Sequence, residues 1–488
     1  MSATMSPYTN NLLTQPAINI ETEHREILKH LQANILRHHK RKHSCYIFLR
    51  FIDEQELNER MIESEKEEYR ETAQQVARVF MNKLAHGIQD NKVTIRLTST
   101  LEQMGLDEAA QGMSKQSLAA REITTMALSH TGYDFLELGY MSPKSVAFKE
   151  GTKKIQAGFH TDMDSMESHF ADTHAMVMIA SNKKEDLKNC IKLLEAEIKT
   201  TPIKILHRQY GQLIIEEIGG KKKRNVYKDH FGYVDGISQP IFFPKGKGAA
   251  LKAKDIASLD AVLIPDKGSG NPKLNYGSYQ VVLKLQQNED AFNQLVKELV
   301  ASPPQDQDGN PVIVDEDDAK AYIMGRYPKG ASILNKSKKN EYHFDHDFDY
   351  DELFFDGKKW QKDKYGMACP LFAHVRKMNA GDKKPYGYQN RKMARRGVPY
   401  ADGEKEKGIL FLSFQSSIEH QLEDLIINKL HNPIYNGVMG GVDILTGKAE
   451  KVRIMKGKNR RPLKVPAPLT TYLGRWAQAG GDDPHQNL

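Results

Sequence analysis

Asp235 stands in the stretch of this chain with the clearest chemical potential, which reads HFGYVDGISQP over residues 230–240. Gly232 and Gly236 let the backbone bend tightly and come close to a flat ligand. Asp235 supplies a titratable oxygen at that bend, where it could take up and return a proton. The same pattern also fits an ordinary turn in which the aspartate bonds to its own backbone. A catalytic interpretation therefore needs partners elsewhere in the chain.

Two downstream segments supply such partners. The segment CPLFAHVRK over residues 369–377 places His374 after an apolar run, and RKMARRGVPY over residues 391–400 contains Arg395 and Arg396. A histidine among apolar residues suits a dry pocket, where a neutral imidazole can bind a metal. An acid, a histidine and an arginine are the side chains that a haem peroxidase requires. They serve as a proton shuttle, an axial iron ligand and a cation beside the peroxide.

The three segments resemble the motifs of the dye-decolorizing peroxidase family. In that family GxxDG carries the distal aspartate, CP-x-x-AH-x-R the proximal haem histidine and R-x-G-(I/V)-P-Y the distal arginine. The resemblance implies these roles for Asp235, His374 and Arg395, and the R-x-G spacing selects Arg395 rather than Arg396. Further matching segments follow in order at residues 31–36, 46–51, 126–133, 148–151, 174–180, 324–328, 347–350 and 408–419. The length of the chain and its cytosolic-looking start are similar to those of the larger bacterial members, which are related to the fungal ones.

The resemblance implies a haem b peroxidase that uses hydrogen peroxide to oxidise dyes, phenols and other bulky aromatic donors. The three cysteines, Cys45, Cys190 and Cys369, show no CxxCH spacing, so one haem per chain is expected without a covalent link. A haem-binding or deferrochelatase-like protein with little peroxidase turnover is the alternative. The joint presence of Asp235 and Arg395 favours the peroxidase, because haem binding alone needs neither.

Each distal side chain has a distinct predicted task. Asp235 would accept a proton from one oxygen of the peroxide and return it to the other. Because an ordinary aspartate has a pKa of about 3.9, the sequence predicts an acidic pH optimum unless the pocket raises that pKa. Arg395 stays charged at any working pH and would stabilise negative charge on the leaving oxygen.

Several further residues are predicted to bind the cofactor. Arg376 matches a haem propionate by the fork of its guanidinium, with a surface ion pair as the equal alternative. Gly236 and Ile237 follow the catalytic aspartate at the bend. Leu410 and Phe411, or their neighbours Leu412 and Phe414, are expected to contribute one pair to the distal pocket.

The hydrogen-bond partner of the second nitrogen of His374 stays open. The family usually places an acid there, but this chain has Asn432 where many relatives have aspartate. Glu423 and Asp443 are the alternatives.

Bulky donors are too large for a pocket that peroxide enters, so their oxidation would require electron transfer through aromatic side chains. The chain has 20 tyrosines and two tryptophans, Trp360 and Trp476, and the sequence does not choose among them. The cluster HFDHD over residues 343–347 could bind manganese or another metal, but its spacing favours a solvated loop.

The length of 488 residues predicts two domains. Strands expected at 44–51 and 174–181 precede helices within 54–84 and at 185–198, and strands at 278–285 and 409–415 precede helices at 288–300 and 418–430. This repeat predicts an α+β fold of antiparallel sheets with peripheral helices, and the resemblance implies duplicated ferredoxin-like domains. We place the N-terminal domain at 1–222 and the C-terminal, haem-binding domain at 223–488, near a glycine- and lysine-rich linker at 219–225. Residues 302–318 and 336–340 are predicted to be surface loops.

The charge and the hydropathy of the chain limit the partners and the locations that are expected for it. The net charge of +7 is spread out, with basic runs at 38–43 and 221–224 that are typical of solvated loops, so no nucleic-acid partner is expected. No apolar run reaches the roughly eighteen residues of a membrane span. The first residues have neither the basic nor the apolar region of a secretory signal, so a cytoplasmic location is predicted. The sequence does not decide between a monomer and a dimer.

Overall fold

The computed structural model describes most of the chain. The described residues are 12–16, 23–112, 122–139, 141–151, 158–161, 172–219, 224–243, 256–266, 271, 273–306, 308–344, 350, 354–355, 360–363, 366–378, 392–404, 406–435, 438–448, 451–456, 459–464 and 469–476.

The first half of the chain builds a four-stranded antiparallel sheet. Its strands are β1 (His43–Arg50), β2 (Ile123–Leu128), β3 (Ala175–Ser181) and β4 (Lys204–Gln212), and their order is β2-β3-β1-β4. Side chains alternate along β1, so Ile47 packs on the helices outside the sheet while Phe48 points to the opposite face. Because both faces are covered, the strand is apolar nearly throughout.

The second half builds the larger sheet. Its strands are β5 (Tyr279–Gln287), β6 (Ala394–Arg395), β7 (Val398–Ala401), β8 (Lys407–Gln415) and β9 (Thr470–Trp476). The order is β6-β8-β5-β9, and β7 also pairs with β8. The short strand His160–Thr161 of the first half extends this sheet by parallel pairing with β9. The second sheet is thus not made by the second half alone.

The two sheets pack face to face. Tyr46, Phe48 and Met178 of the first sheet meet Val282 and Leu412 of the second in one buried cluster. Burying one aliphatic side chain contributes about 1.5–3 kcal/mol, so this cluster holds the two halves together. The opposite face of the second sheet turns toward the helices at 418–430 and a cavity.

Helices cover the outer faces. The α-helices are Glu23–His30, Glu54–Arg60, Glu63–His86, Thr100–Gly112, His130–Phe135, Val146–Glu150, Lys184–Ile198, Glu289–Ala301, Glu316–Met324 and His374–Met378. Two 3₁₀ turns lie at Leu259–Ala261 and Lys336–Lys338, and π-helical turns lie at Ile418–Glu423 and Ile426–Leu430. The antiparallel sheets with peripheral helices confirm the predicted α+β class. Among the described residues, no helix has the length and apolar character needed to cross a membrane.

Short hairpins complete the fold. They pair Ile88–Gln89 with Thr94–Ile95, Ile214–Ile218 with Arg224–Lys228, Ile264–Pro265 with Tyr276–Gly277, Phe354–Phe355 with Trp360–Gln361, Ile434–Tyr435 with Val438–Met439, and Lys451–Lys456 with Asn459–Lys464.

Most predicted elements are present, with differences that have local causes. The helix expected within 54–84 is two helices, because Met61 and Ile62 are extended and Glu65 caps the second helix at the amide of Ile62. The loop predicted at 302–318 ends earlier than expected. Asp315 caps the helix Glu316–Met324, and Asp318 is buried within it.

The predicted linker at 219–225 overlaps the strand Arg224–Lys228. This strand pairs with Ile214–Ile218, so residues 224 and 225 are part of a strand. Arg224–Lys228 leads directly into the bend that carries Asp235, whose N–H donates to the carbonyl of Tyr227 (2.9 Å). The division at residue 222 stays a prediction.

Candidate active site

A cavity of about 310 Å³ lies against the second sheet. Its size is within the range of small-molecule sites. Most of its wall is apolar, formed by Phe159, Leu283, Leu285, Val375, Ile409, Phe411, Leu422, Ile426 and Leu430. Polar side chains come from a few elements, and Asp235, His374 and Arg395 are among them. The three residues singled out from widely separated segments therefore share one cavity.

The bend at residues 229–236 is held by its own hydrogen bonds. The Asp229 carboxylate accepts from the N–H of Tyr233 (2.8 Å), and the N–H of Asp229 donates to the carbonyl of Tyr233 (3.0 Å). Gly232 and Gly236 have φ of 88° and 81°, a region that disfavours side chains. A Cβ at Gly236 would meet nothing within 4 Å. The glycine therefore serves the bend and leaves open space beside Asp235.

Asp235 is exposed to the cavity it lines. Enclosure by the protein raises the pKa of its carboxyl above the ordinary value, and the hydrogen bond from the Gly236 amide (2.6 Å) and the charge of Arg395 only partly oppose this. The condition attached to the predicted acidic optimum, a pocket that raises the pKa of Asp235, therefore applies. The pocket moves the pH at which Asp235 becomes a base toward neutrality.

The Ser-Gln-Pro turn holds Arg395 in place. Arg395 lies on β6, opposite Ser413 of β8. Its backbone N–H donates to Gln239 Oε1 (3.0 Å), and its Nη2 donates to the carbonyls of Ile237 (3.0 Å) and Ser238 (3.2 Å). The motif that carries the aspartate thus also fixes the arginine beside it.

Arg396 has a different environment, although it is the next residue. It is buried, and its guanidinium donates to the carbonyls of Asn34 (2.8 Å) and Ile35 (2.7 Å). Burial lowers its pKa to about 9. Neighbouring residues of an extended chain point to opposite faces, so only Arg395 of the pair lines the cavity.

His374 begins the helix His374–Met378 and is paired with a buried carboxylate. Its Nδ1 lies 2.8 Å from Asp443 Oδ2. Burial alone would raise the pKa of Asp443, but the His374 ring and the hydrogen bonds from Thr446 hold it below its ordinary value. Of the three partners left open by the sequence, Asp443 is the one that contacts the ring. Asn432 instead accepts a hydrogen bond from Lys377 at its carbonyl (2.7 Å).

These features fit a haem. The bond to Asp443 engages Nδ1 and leaves Nε2 of His374 for an axial iron ligand, the arrangement typical of metal-binding histidines. The apolar wall suits the face of a porphyrin, and the open space at Gly236 allows close approach of a flat group. We therefore take haem as the group that the site would hold.

Arg376 does not lie at the cavity, where a contact with a haem propionate had been predicted. It is buried and absent from the cavity wall. Its Nη1 donates to Asp363 Oδ2 (2.8 Å) and to the Cys369 carbonyl (2.7 Å), and the guanidinium stacks on the Tyr350 ring at 4.1 Å. It stabilises the loop before His374 and does not line the pocket.

Strand β8 contributes one face to the cavity. Phe411 lines it together with Ile409, whereas Leu410 packs between the two sheets and Phe414 packs in a third cluster near Ile27. Adjacent residues of a strand point to opposite faces. Leu410 and Phe411 could therefore not face the pocket as a pair. Gly236 and Ile237 line it, and their predicted contact with the cofactor stays a prediction.

Two charged residues of the cavity wall were missed by sequence reasoning, Asp229 and Arg326. Burial raises the pKa of Asp229 to about 7, and nearby Asp235 adds to the effect. Arg326 is buried and donates to the Gly330 carbonyl (2.8 Å) and to Ser238 Oγ (3.3 Å). Asp229 is the first residue of the bend that carries Asp235, and Arg326 stands in one of the matched segments. Both positions therefore lie within or directly beside segments that had already been singled out from the sequence.

Two predictions cannot be placed. Residues 345–347 of the proposed metal cluster lie outside the described residues, as do the side chains of Trp360 and Trp476. Among the residues that the structure describes, no group of three or more histidine, cysteine or acidic side chains is arranged to hold a metal ion.

Known proteins are similar to this chain in sequence. No protein-family profile matches the chain. The multifunctional dye peroxidase DyP2 of Amycolatopsis sp. is 26% identical over 471 residues, 87% of this chain and 86% of that protein. A dye-decolorizing peroxidase of Mycena epipterygia is 26% identical over 310 residues, 57% of this chain and 55% of that protein.

Solved structures share the fold. A DyP-type peroxidase of Anabaena sp. superposes with a TM-score of 0.73 at 23% identity, covering 96% of both chains. A dye-decolorizing peroxidase in complex with 2,6-dimethoxyphenol has a TM-score of 0.64 at 18% identity, covering 92% of this chain and 95% of that one. In sequence, therefore, the chain is similar to bacterial and fungal dye-decolorizing peroxidases, and it shares the fold of solved DyP-type peroxidases.

Proposed function

We propose that this chain is a haem b peroxidase that uses hydrogen peroxide to oxidise dyes, phenols and other aromatic donors. One observation carries the proposal. A single cavity contains His374, anchored by Asp443, together with an acid and an arginine that simple haem storage would not need. Haem binding with little turnover is not favoured, because it leaves Asp235 and Arg395 without a task.

The cofactor would be held by residues of the cavity wall. Nε2 of His374 would be the axial ligand, and Gly236, Ile237 and Phe411 would contact the porphyrin. Haem b, when bound, supplies an iron that accepts two oxidising equivalents from peroxide and passes them to donors one electron at a time. The Asp443 carboxylate orients the His374 ring and increases its donor strength.

Asp235 would move the proton. Its carboxylate takes a proton from one oxygen of hydrogen peroxide and returns it to the other, which leaves as water. Its ionised form is required first, so the raised pKa sets the acidic side of the pH profile.

Arg395 would stabilise the negative charge that develops as the bond between the peroxide oxygens breaks. Replacing Arg395 by leucine is expected to slow the reaction with peroxide roughly 10²- to 10³-fold, the usual cost of losing one such donor. Stopped-flow measurement of the Soret change would give the rate. Arg395→Lys is the matched control and should retain part of the rate, since it keeps the charge but not the fork. Equal rates in wild type and Arg395→Leu would contradict the role.

Donor oxidation would take place at more than one location. Small phenols are proposed as donors, in keeping with the 2,6-dimethoxyphenol complex of a protein that shares this fold. Dyes larger than the cavity would be oxidised at the surface by electron transfer through the protein.

The decisive test of the proposal is His374→Ala in the full chain reconstituted with haem. We expect haem to be lost or its Soret band to shift, because the axial ligand is gone. His420→Ala is the control, since His420 is exposed on a π-helical turn and should leave the spectrum unchanged. An unchanged spectrum in His374→Ala would refute the ligand assignment. Wild type loaded with haem that turned over no peroxide with a phenol would refute the peroxidase.

A further inference from the structure

The two oxygens of the Asp443 carboxylate have different numbers of hydrogen-bond partners. It is fully buried. Its Oδ2 lies against His374 Nδ1 at 2.8 Å, while Oδ1 accepts from the N–H of Leu445 (2.9 Å), the N–H of Thr446 (2.7 Å) and the hydroxyl of Thr446 (2.9 Å). Thr446 therefore supplies two of the three bonds on the oxygen that does not face the histidine.

We propose that the Thr446 hydroxyl is a positioning residue that tunes His374 through Asp443 and so sets the reduction potential of the iron. The inference rests on the proposed function, since it requires haem bound to His374. Each donor on Oδ1 draws electron density from the carboxylate and makes Oδ2 a weaker acceptor for the imidazole N–H. A weaker acceptor leaves the imidazole less electron-rich, which favours the reduced iron.

Other contacts hold Asp443 in position without the hydroxyl. Its backbone N–H donates to the Leu430 carbonyl (2.7 Å). The buried Lys377, on the same helix as His374, donates to the carbonyls of Lys429 (3.2 Å) and Asn432 (2.7 Å) and so ties that helix to the neighbouring turn. The two N–H donors on Oδ1 belong to the backbone and survive any substitution of the Thr446 side chain except proline. Loss of the hydroxyl therefore changes the electron density on the Asp443 carboxylate more than it changes the position of that carboxylate.

Thr446 can be changed in shape-matched steps. Valine has nearly the same volume as threonine and no hydroxyl, while serine keeps the hydroxyl and loses only a methyl group. Thr446 also lines the cavity, so the pair of variants separates the hydroxyl from the packing.

The experiment is a spectroelectrochemical titration of the haem-loaded full chain, which reports the ferric–ferrous potential independently of activity. Thr446→Val should have a more negative potential than wild type, whereas Thr446→Ser should match wild type. The iron–histidine stretch of the ferrous protein, measured by resonance Raman, should move to higher frequency in Thr446→Val only. Thr446→Ala, which also lacks the hydroxyl, must shift in the same direction and replaces the valine variant if that one fails to fold.

The outcomes are distinguishable. A potential in Thr446→Val that equals wild type or is more positive overturns the inference and leaves the proposed function standing. A shift of the same size in Thr446→Ser also overturns it, because packing would then be the cause. If His374→Ala left the spectrum unchanged, the proposed function would fail first and this inference with it.

Discussion

Replacing Asp235 by asparagine is expected to slow the reaction of the haem-loaded protein with hydrogen peroxide roughly 10²- to 10⁴-fold, the usual contribution of a general acid–base. The amide keeps the size of the side chain but can neither accept the peroxide proton nor return it. Haem should be retained, because the proposed axial ligand is on another element. The measurement is the second-order rate constant from the Soret change in stopped flow.

Asp229→Asn is the matched control. Asp229 lines the same cavity, and an asparagine there can still accept the hydrogen bond from the Tyr233 amide. We expect its effect to be much smaller than that of Asp235→Asn. Equal losses in the two variants would mean that the loop is merely disturbed. An unchanged rate in Asp235→Asn would remove the residue from the mechanism.

The same carboxylate sets the pH dependence. Enclosure raises the pKa of Asp235 above its ordinary value of 3.8, and the base must be ionised to act. The rate should therefore fall as the pH drops through a midpoint above 3.8, and this limb should disappear in Asp235→Asn. A wild-type midpoint at or below 3.8 would show that the pocket does not perturb the group.

Replacing Asp363 by alanine is expected to lower the free energy of unfolding by about 3–5 kcal/mol, because it leaves the buried Arg376 without its carboxylate. Asp363 is buried, and its oxygens accept from the amides of Met367 (2.6 Å) and Cys369 (2.8 Å) as well as from Arg376 (2.8 Å). These contacts shape the loop that leads into His374. The variant should therefore also hold haem less tightly.

Urea denaturation at neutral pH would measure the loss, and a double variant provides the control. Asp363→Asn combined with Arg376→Met removes both charges and keeps an oxygen that can accept from the loop amides, so it should recover part of the stability. If Asp363→Ala cost no more than a typical surface substitution, within about 0.5 kcal/mol, the pair would not be the support we describe.

The local parts of this molecule were predictable from the sequence. The strands and helices around β1, β3, β5 and β8 follow from apolar periodicity, and the bend at Asp235 follows from glycines that adopt positive φ. These features depend on residues close together in the chain. Positions within such segments, among them Gly236 and Ile237, line the cavity, and their contact with a cofactor stays a prediction.

The spatial partners of the site residues could not be predicted from the sequence. From the sequence, the candidate hydrogen-bond partners of His374 were Asn432, Glu423 and Asp443. Only the packing of the chain brings Asp443 to 2.8 Å from the ring. Arg376 looked equally suited to a propionate, yet the fold buries it against Asp363.

The sequence by itself therefore determined the elements, the bend and the three residues to which we assign the chemistry. Only the tertiary structure decided the pKa of Asp235, the partner of His374 and the placement of Arg376. Local conformation is encoded by neighbouring residues, whereas enclosure and hydrogen bonding depend on which distant segments pack together.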